Sequence, residues 1–98
     1  MRFEWDDVKN RRNLGKHKIS FESAKLVFDD PQALADRDRA VDDEERWQTV
    51  GVIGGSMTVV VAYTYREEDG EEVIRIISAR KASPSERRAY GEGNWPLG

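Results

Sequence analysis

The sequence predicts an α+β domain: two N-terminal helices packed on an antiparallel β-sheet meander, followed by a C-terminal helix. Three observations carry it. Two capped segments open the chain, three runs rich in β-branched and aromatic residues follow, separated by glycine-bearing turns, and Ser83-Pro84-Ser85-Glu86 then starts a last helix. With 98 residues and no linker or repeat, the expectation is one domain over residues 1–91 and a tail over 92–98.

Phe3-Glu4-Trp5 alternates apolar and polar side chains, which suits a short strand. Asp6 or Asp7 then caps a mostly polar helix over about 7–17, with Gly15 expected near its end. Ser20 caps a second helix whose stripe is Phe21, Ala24, Leu26, Val27 and Phe28. Asp29-Asp30-Pro31 stops it, because a residue before proline is pushed out of the helical region. Residues 33–45 read as one short strand followed by a loop.

Arg46–Ile53 is the first clear strand, and Gly54-Gly55 is a two-residue hairpin signal. Met57–Arg66 is the second, and Asp69-Gly70 marks the next turn inside the acidic stretch EEDGEE. Val73–Lys81 is the third. Strict alternation would put Arg75, Ile77, Ala79 and Lys81 on one face and Ile74, Ile76, Ser78 and Arg80 on the other. In the last helix Ser83 is the cap, Pro84 the first helical residue and Glu86 the partner in a capping box, with Gly91 as the stop.

Composition removes several classes of chemistry. Without cysteine there is no disulfide, thiol nucleophile or thiolate zinc site, and His17 is the sole histidine. The longest apolar run, Val59–Tyr63, is far short of the roughly 20 residues that span a bilayer. The N-terminus MRFEWDD lacks the apolar core of a signal peptide, so a cytoplasmic protein without membrane contact is expected. Net charge is −3, but it is unevenly spread. Residues 29–45 carry eight acidic and two basic side chains, and residues 67–72 carry five acidic and none; both segments read as loops on a basic scaffold. Such a local field attracts phosphate even under a negative total.

Asp42-Asp43-Glu44-Glu45, with Asp29 and Asp30, could hold Mg²⁺, but consecutive carboxylates do not converge on one centre unaided, and a solvated acidic loop is preferred. No metal or cofactor is expected. Lys16 and His17 end the polar first helix, where a cation suits the dipole; histidine is also the side chain suited to proton transfer near neutral pH. Arg46, Arg66, Arg75 and Arg80 fall near strand ends, with Trp47, Tyr63 and Tyr65 between them. Guanidinium forks fit phosphate and aromatic rings stack on bases, whereas the structural alternative is that the arginines pair with the acidic segments.

The stretch FEWDDVKNRRNLGKHKISFESAKLVFDDP, then EERWQTVG, YTYR and RIISARKASPSERRAY, resembles the BrnT family of toxins, in order and over roughly residues 2–90. The resemblance implies a ribonuclease toxin of a type II toxin–antitoxin pair with a fold similar to RelE toxins. It implies a DNA-binding antitoxin, BrnA, that masks the toxin, an operon repressed by the complex, and RNA cleavage that slows translation and growth. His17, Glu45, Arg46, Arg66, Arg75, Ser78, Arg80 and Lys81 match positions in those motifs. The family pattern commonly has glycine after the histidine, where this chain has Lys18, and EEDGEE is long for it.

On this reading metal-free cleavage needs proton transfer at the 2′-hydroxyl and leaving 5′-oxygen, and positive charge on the crowded phosphorane. Arg46, Arg66 and Arg80 are expected around the phosphate, with His17 as the first and Glu45 as the second proton-transfer candidate. Lys16, Arg75 and Lys81 would position the backbone, with Ser78 beside them and Tyr63, Tyr65 or Trp47 under a base. Ser78 has a plainer reading as a small residue under a helix. The competing class is a non-catalytic module acting as corepressor with its antitoxin. A direct DNA binder using Arg87 and Arg88 is the third; no helix-turn-helix spacing supports it, so operator DNA is expected only through the antitoxin.

Overall fold

The computed structural model describes residues 1–41 and 44–95. Three helices and a five-stranded mixed sheet make an α+β fold. The strands are β1 (Arg2–Glu4), β2 (Leu34–Val41), β3 (Glu44–Ile53), β4 (Met57–Glu68) and β5 (Glu71–Lys81). The helices are α1 (Asp7–His17), α2 (Phe21–Ala24) and α3 (Pro84–Glu92). The sheet runs in the order β1-β5-β4-β3-β2. β2 to β5 are an antiparallel meander, and β1 joins the outer edge of β5 in parallel, Phe3 opposite Ile74.

The caps act where the side chains demand. Asp6 accepts from Lys9 N, Ser20 from Ser23 N, and Ser83 with Glu86 completes the capping box on α3. Helix α1 passes through Gly15 and ends at His17, with Lys18 in the left-handed region at φ 61°. That is the conformation glycine takes at little cost and a residue with a Cβ takes at some. Helix α2 is shorter than expected, because Lys25–Asp29 tightens into a 3₁₀ segment.

Several expectations need correction. Residues 34–41 form a full strand rather than a short one followed by a loop; Asp42 and Asp43 lie outside the described residues. The β3–β4 turn has three residues, Gly54 to Ser56, since Ile53 pairs with Met57. EEDGEE is not a loop: Glu67 pairs with Glu72 and Glu68 with Glu71, and only Asp69-Gly70 turns, both at positive φ. Helix α3 ends at Glu92, capped by Gly93, and Trp95 packs back on the sheet instead of trailing free.

The alternation in β5 also breaks. Ala62 pairs with Ser78 but Tyr63 with Ile76, leaving Ile77 as the extra residue of a β-bulge. Ile74, Ile76 and Ala79 therefore share one face, where they meet Phe21, Ala24, Val27, Val59 and Val61 in the main core under α1 and α2. Arg75, Ser78 and Arg80 share the opposite face, and Lys81, paired with Val59, falls on the helix-covered side. Among the described residues the opposite face is covered at one end only, by Tyr90 and Trp95 over Val50, Val60, Leu34 and Ala82.

Asn13 fastens α1 to the β5 edge. It is 7% exposed; its amide donates to Ala79 O at 2.8 Å and Ile19 O at 2.9 Å, and accepts from Ala79 N at 3.1 Å. One side-chain amide thus replaces the missing neighbour strand beyond the end of β1.

Candidate functional site

The uncovered sheet face presents the arginines. Cross-strand partners share a face, so Arg46 opposite Thr64, Thr64 opposite Arg75, Gln48 opposite Ala62, Ala62 opposite Ser78, and Val60 opposite Arg80 lie on one surface. Arg66, two residues beyond Thr64, shares it. Five of the predicted residues, Arg46, Arg66, Arg75, Ser78 and Arg80, are therefore brought together by three strands.

Lys16 and His17 reach this surface from its β5 edge. They line a shallow cavity of about 340 Å³ with Arg12, Asn13, Ile77 and Ser78. The Ile77 bulge and the Asn13 clasp bring the end of α1 against Ser78, so Ser78 belongs both to the histidine cavity and to the arginine face. It is exposed, not packed beneath a helix. Arg12 and Lys9, which also line the cavity, stood out in the sequence only as charge on a polar helix.

Most of the arginines are held by carboxylates. Arg80 makes two bonds to Glu86, Nη1–Oε1 at 2.7 Å and Nη2–Oε2 at 2.8 Å. Arg66 meets Glu4 at 2.5 Å and Glu68 at 3.0 Å, and Arg75 meets Glu4 at 3.4 Å. Hydrogen bonding to Glu86 raises the Arg80 pKa, and bonding to Glu4 and Glu68 raises that of Arg66, which fixes both as cations. Arg46 differs: its buried Nε has no hydrogen-bond partner among the described residues. The sequence marks Glu86 as a cap, and its place six residues after Arg80 is the signal for the ion pair.

Three predicted residues fall elsewhere. Glu45 neighbours Arg46 in sequence but takes the opposite face, that of Trp47, and pairs with Arg37 at 3.4 Å. Tyr63 is a core residue, 5% exposed, its hydroxyl bonded to Thr49 at 2.7 Å; burial pushes its phenol pKa up. It cannot stack a base on the arginine face. Lys81 lies near Arg87 beside the β3–β4 turn. Of the carboxylates weighed for Mg²⁺, Asp30 accepts from Tyr90 Oη at 2.5 Å, Val52 N at 2.8 Å and Gln32 N at 2.9 Å. The Tyr90 bond, then the backbone bonds, lower its pKa, and they leave it tying α3 to β3.

Fold and site define a small α+β protein that offers an arginine-bearing sheet face, largely paired with carboxylates, flanked by a histidine cavity. A family model described as "Ribonuclease toxin, BrnT, of type II toxin-antitoxin system" matches residues 5–86, and the chain belongs to that family. Among solved structures it is similar to the Brucella abortus ribonuclease toxin BrnT, with 24% identity and a TM-score of 0.65 over 85% of this chain and 97% of that one. That likeness establishes the fold. No curated protein matches the chain. No helix among the described residues is long and apolar enough to cross a membrane.

Proposed function

We propose that this chain is a metal-independent endoribonuclease, a RelE-like toxin that cleaves RNA in the cytoplasm, slows translation and growth, and is neutralised by a BrnA-type antitoxin. The observation that supports it most is that His17 and Ser78 line one cavity at the rim of the arginine face. A phosphodiester laid across β4 and β5 has Arg46, Arg75 and Arg80 on its oxygens and His17 at its side. His17 takes the 2′-hydroxyl proton, the 2′-oxygen attacks phosphorus and the bond to the 5′-oxygen breaks. A 2′,3′-cyclic phosphate and, after protonation from solvent, a 5′-hydroxyl result. The arginines stabilise the charge that grows on the phosphorane. Lys16 and Arg12 hold the flanking backbone, and operator DNA is met only through the antitoxin complex.

The test is cleavage of a labelled RNA by the purified chain with and without EDTA, beside Arg46→Ala and His17→Ala. Cleavage that survives EDTA and falls in both variants is expected. A second reading, a non-catalytic corepressor, is favoured by one observation: Arg66, Arg75 and Arg80 already have carboxylate partners within the chain. Antitoxin binding without any RNA cleavage, on free RNA or on ribosomes, would select it.

A further inference from the structure

An apolar groove of about 290 Å³ lies on the helix-side face of the sheet, where α1 and α2 do not reach. Phe28, Ala35, Trp47, Tyr65, Ile74 and the carboxylate residue Glu72 are among those that line it. Glu72 stands directly opposite Glu67 across β4 and β5. Like charges in that position repel and destabilise a sheet. Arg2 and Arg66 neutralise the neighbouring Glu68 and Glu71, yet among the described residues neither Glu67 nor Glu72 has a cation within ion-pair distance. Glu72 only accepts from Tyr65 Oη at 3.2 Å. The groove is therefore an aromatic trough whose lining includes Glu72, with Glu67 opposite it across the strands, and among the described residues neither carboxylate is in an ion pair.

We propose that this groove is the anchoring site for a basic amphipathic helix of the antitoxin, on the side of the sheet away from the arginines. The groove crosses the strands instead of following one: Ala35 is on β2, Trp47 on β3, Tyr65 on β4 and Ile74 on β5. Three interstrand spacings make about 14 Å, the length of roughly ten residues of α-helix. An extended chain laid over a sheet face would find no backbone partners there, whereas a helix satisfies its own. Its apolar stripe enters between the aromatic rings, in the layer that α1 and the 3₁₀ segment already occupy, and a Lys or Arg at its end pairs with Glu67 and Glu72. The proposal rests on membership of a toxin–antitoxin family for the source of the helix, and not on the ribonuclease reading. It separates anchoring from masking: the helix holds the toxin from behind while another part of the antitoxin covers the arginine face.

The probe is the purified antitoxin encoded beside the toxin gene, titrated by calorimetry into the native chain, Ala35→Trp and Glu72→Lys. Ala35→Trp fills the groove without changing charge. Glu72→Lys reverses one rim charge and gives Glu67 a partner, so its thermal midpoint should equal or exceed the native one. Antitoxin affinity is expected to fall at least tenfold in both variants, with RNA cleavage by the free chains unchanged within twofold. A fall in affinity with no cleavage even by the native chain would support the groove and remove the enzyme reading alone. Native affinity in both folded variants would overturn the proposal. So would a native dimer that Ala35→Trp makes monomeric, because the groove would then belong to a second copy.

Discussion

Arg80 on β5 and Glu86 in the first turn of α3 form a two-point ion pair, at 2.7 and 2.8 Å, while the same carboxylate caps the helix through Ser83 N at 2.8 Å. One side chain thus joins the candidate phosphate site to the helix that closes the far end of the sheet. Arg80 chiefly, and Ser83 after it, hold the Glu86 carboxyl down from 4.5 to about 2. Because the folded pKa is the lower one, the stabilisation is complete above pH 4.5 and is lost as pH falls towards 2. Thermal unfolding between pH 7 and pH 2 should show that loss in the native chain and a smaller one in Glu86→Gln. At pH 7 Glu86→Ala should cost about 1–2 kcal/mol, through the cap and a partly exposed ion pair.

Asn13→Ala strips partners from Ala79 N, Ala79 O and Ile19 O at once. Unpaired buried backbone groups are costly, so a loss of about 3 kcal/mol is expected in urea unfolding. Cleavage should fall further than stability alone explains, because α1 then no longer holds the His17 cavity against β5.

Lys18 adopts φ 61°, donates its amide to Leu14 O at 2.9 Å and reaches Gly15 O through Nζ at 3.1 Å. Lys18→Gly relieves the left-handed strain and should stabilise the chain by about 0.5–1 kcal/mol, read from the urea midpoint.

Gly51 sits in β3 without a turn to make. A Cβ there would stand 3.0 Å from Val27 Cγ1 and 3.3 Å from Ala33 Cβ and Asp30 Oδ2. Asp30 is held by Tyr90 and Val52, and Val27 is fully buried, so neither gives way easily. Gly51→Ala should destabilise by about 1–3 kcal/mol in the same assay.

The two faces of β3 predict opposite outcomes for neighbours in sequence. Arg46→Ala should lower kcat/KM for RNA at least tenfold, and Glu45→Gln should leave it within twofold. His17→Ala should lower kcat by about 10²-fold. Equal losses from Glu45→Gln and Arg46→Ala would remove the face assignment.

The helix starts were legible because each is local: Asp6, Ser20 and Ser83 bond to amides three residues on, and Pro84 and Glu86 add their own constraints. The β-branched runs and the Asp69-Gly70 turn were legible for the same reason. Glycine 51 gave no warning, since what crowds it comes from Val27 and Asp30 in another layer.

By itself the sequence determined the α+β class, the caps, the strand-forming runs and a cationic surplus near His17, Arg46 and Arg80. Each depends on neighbours a few bonds away or on composition. Only the tertiary structure decided which side chains meet. The Ile77 bulge set Ser78 and Arg80 on the face of Arg46, strand alternation turned Glu45 away from it, and Asn13 clasped α1 to β5. A one-residue slip reverses every later side chain in a strand, and the energy that selects the slip comes from packing Ile74, Ile76 and Ala79 against helices far away in the chain.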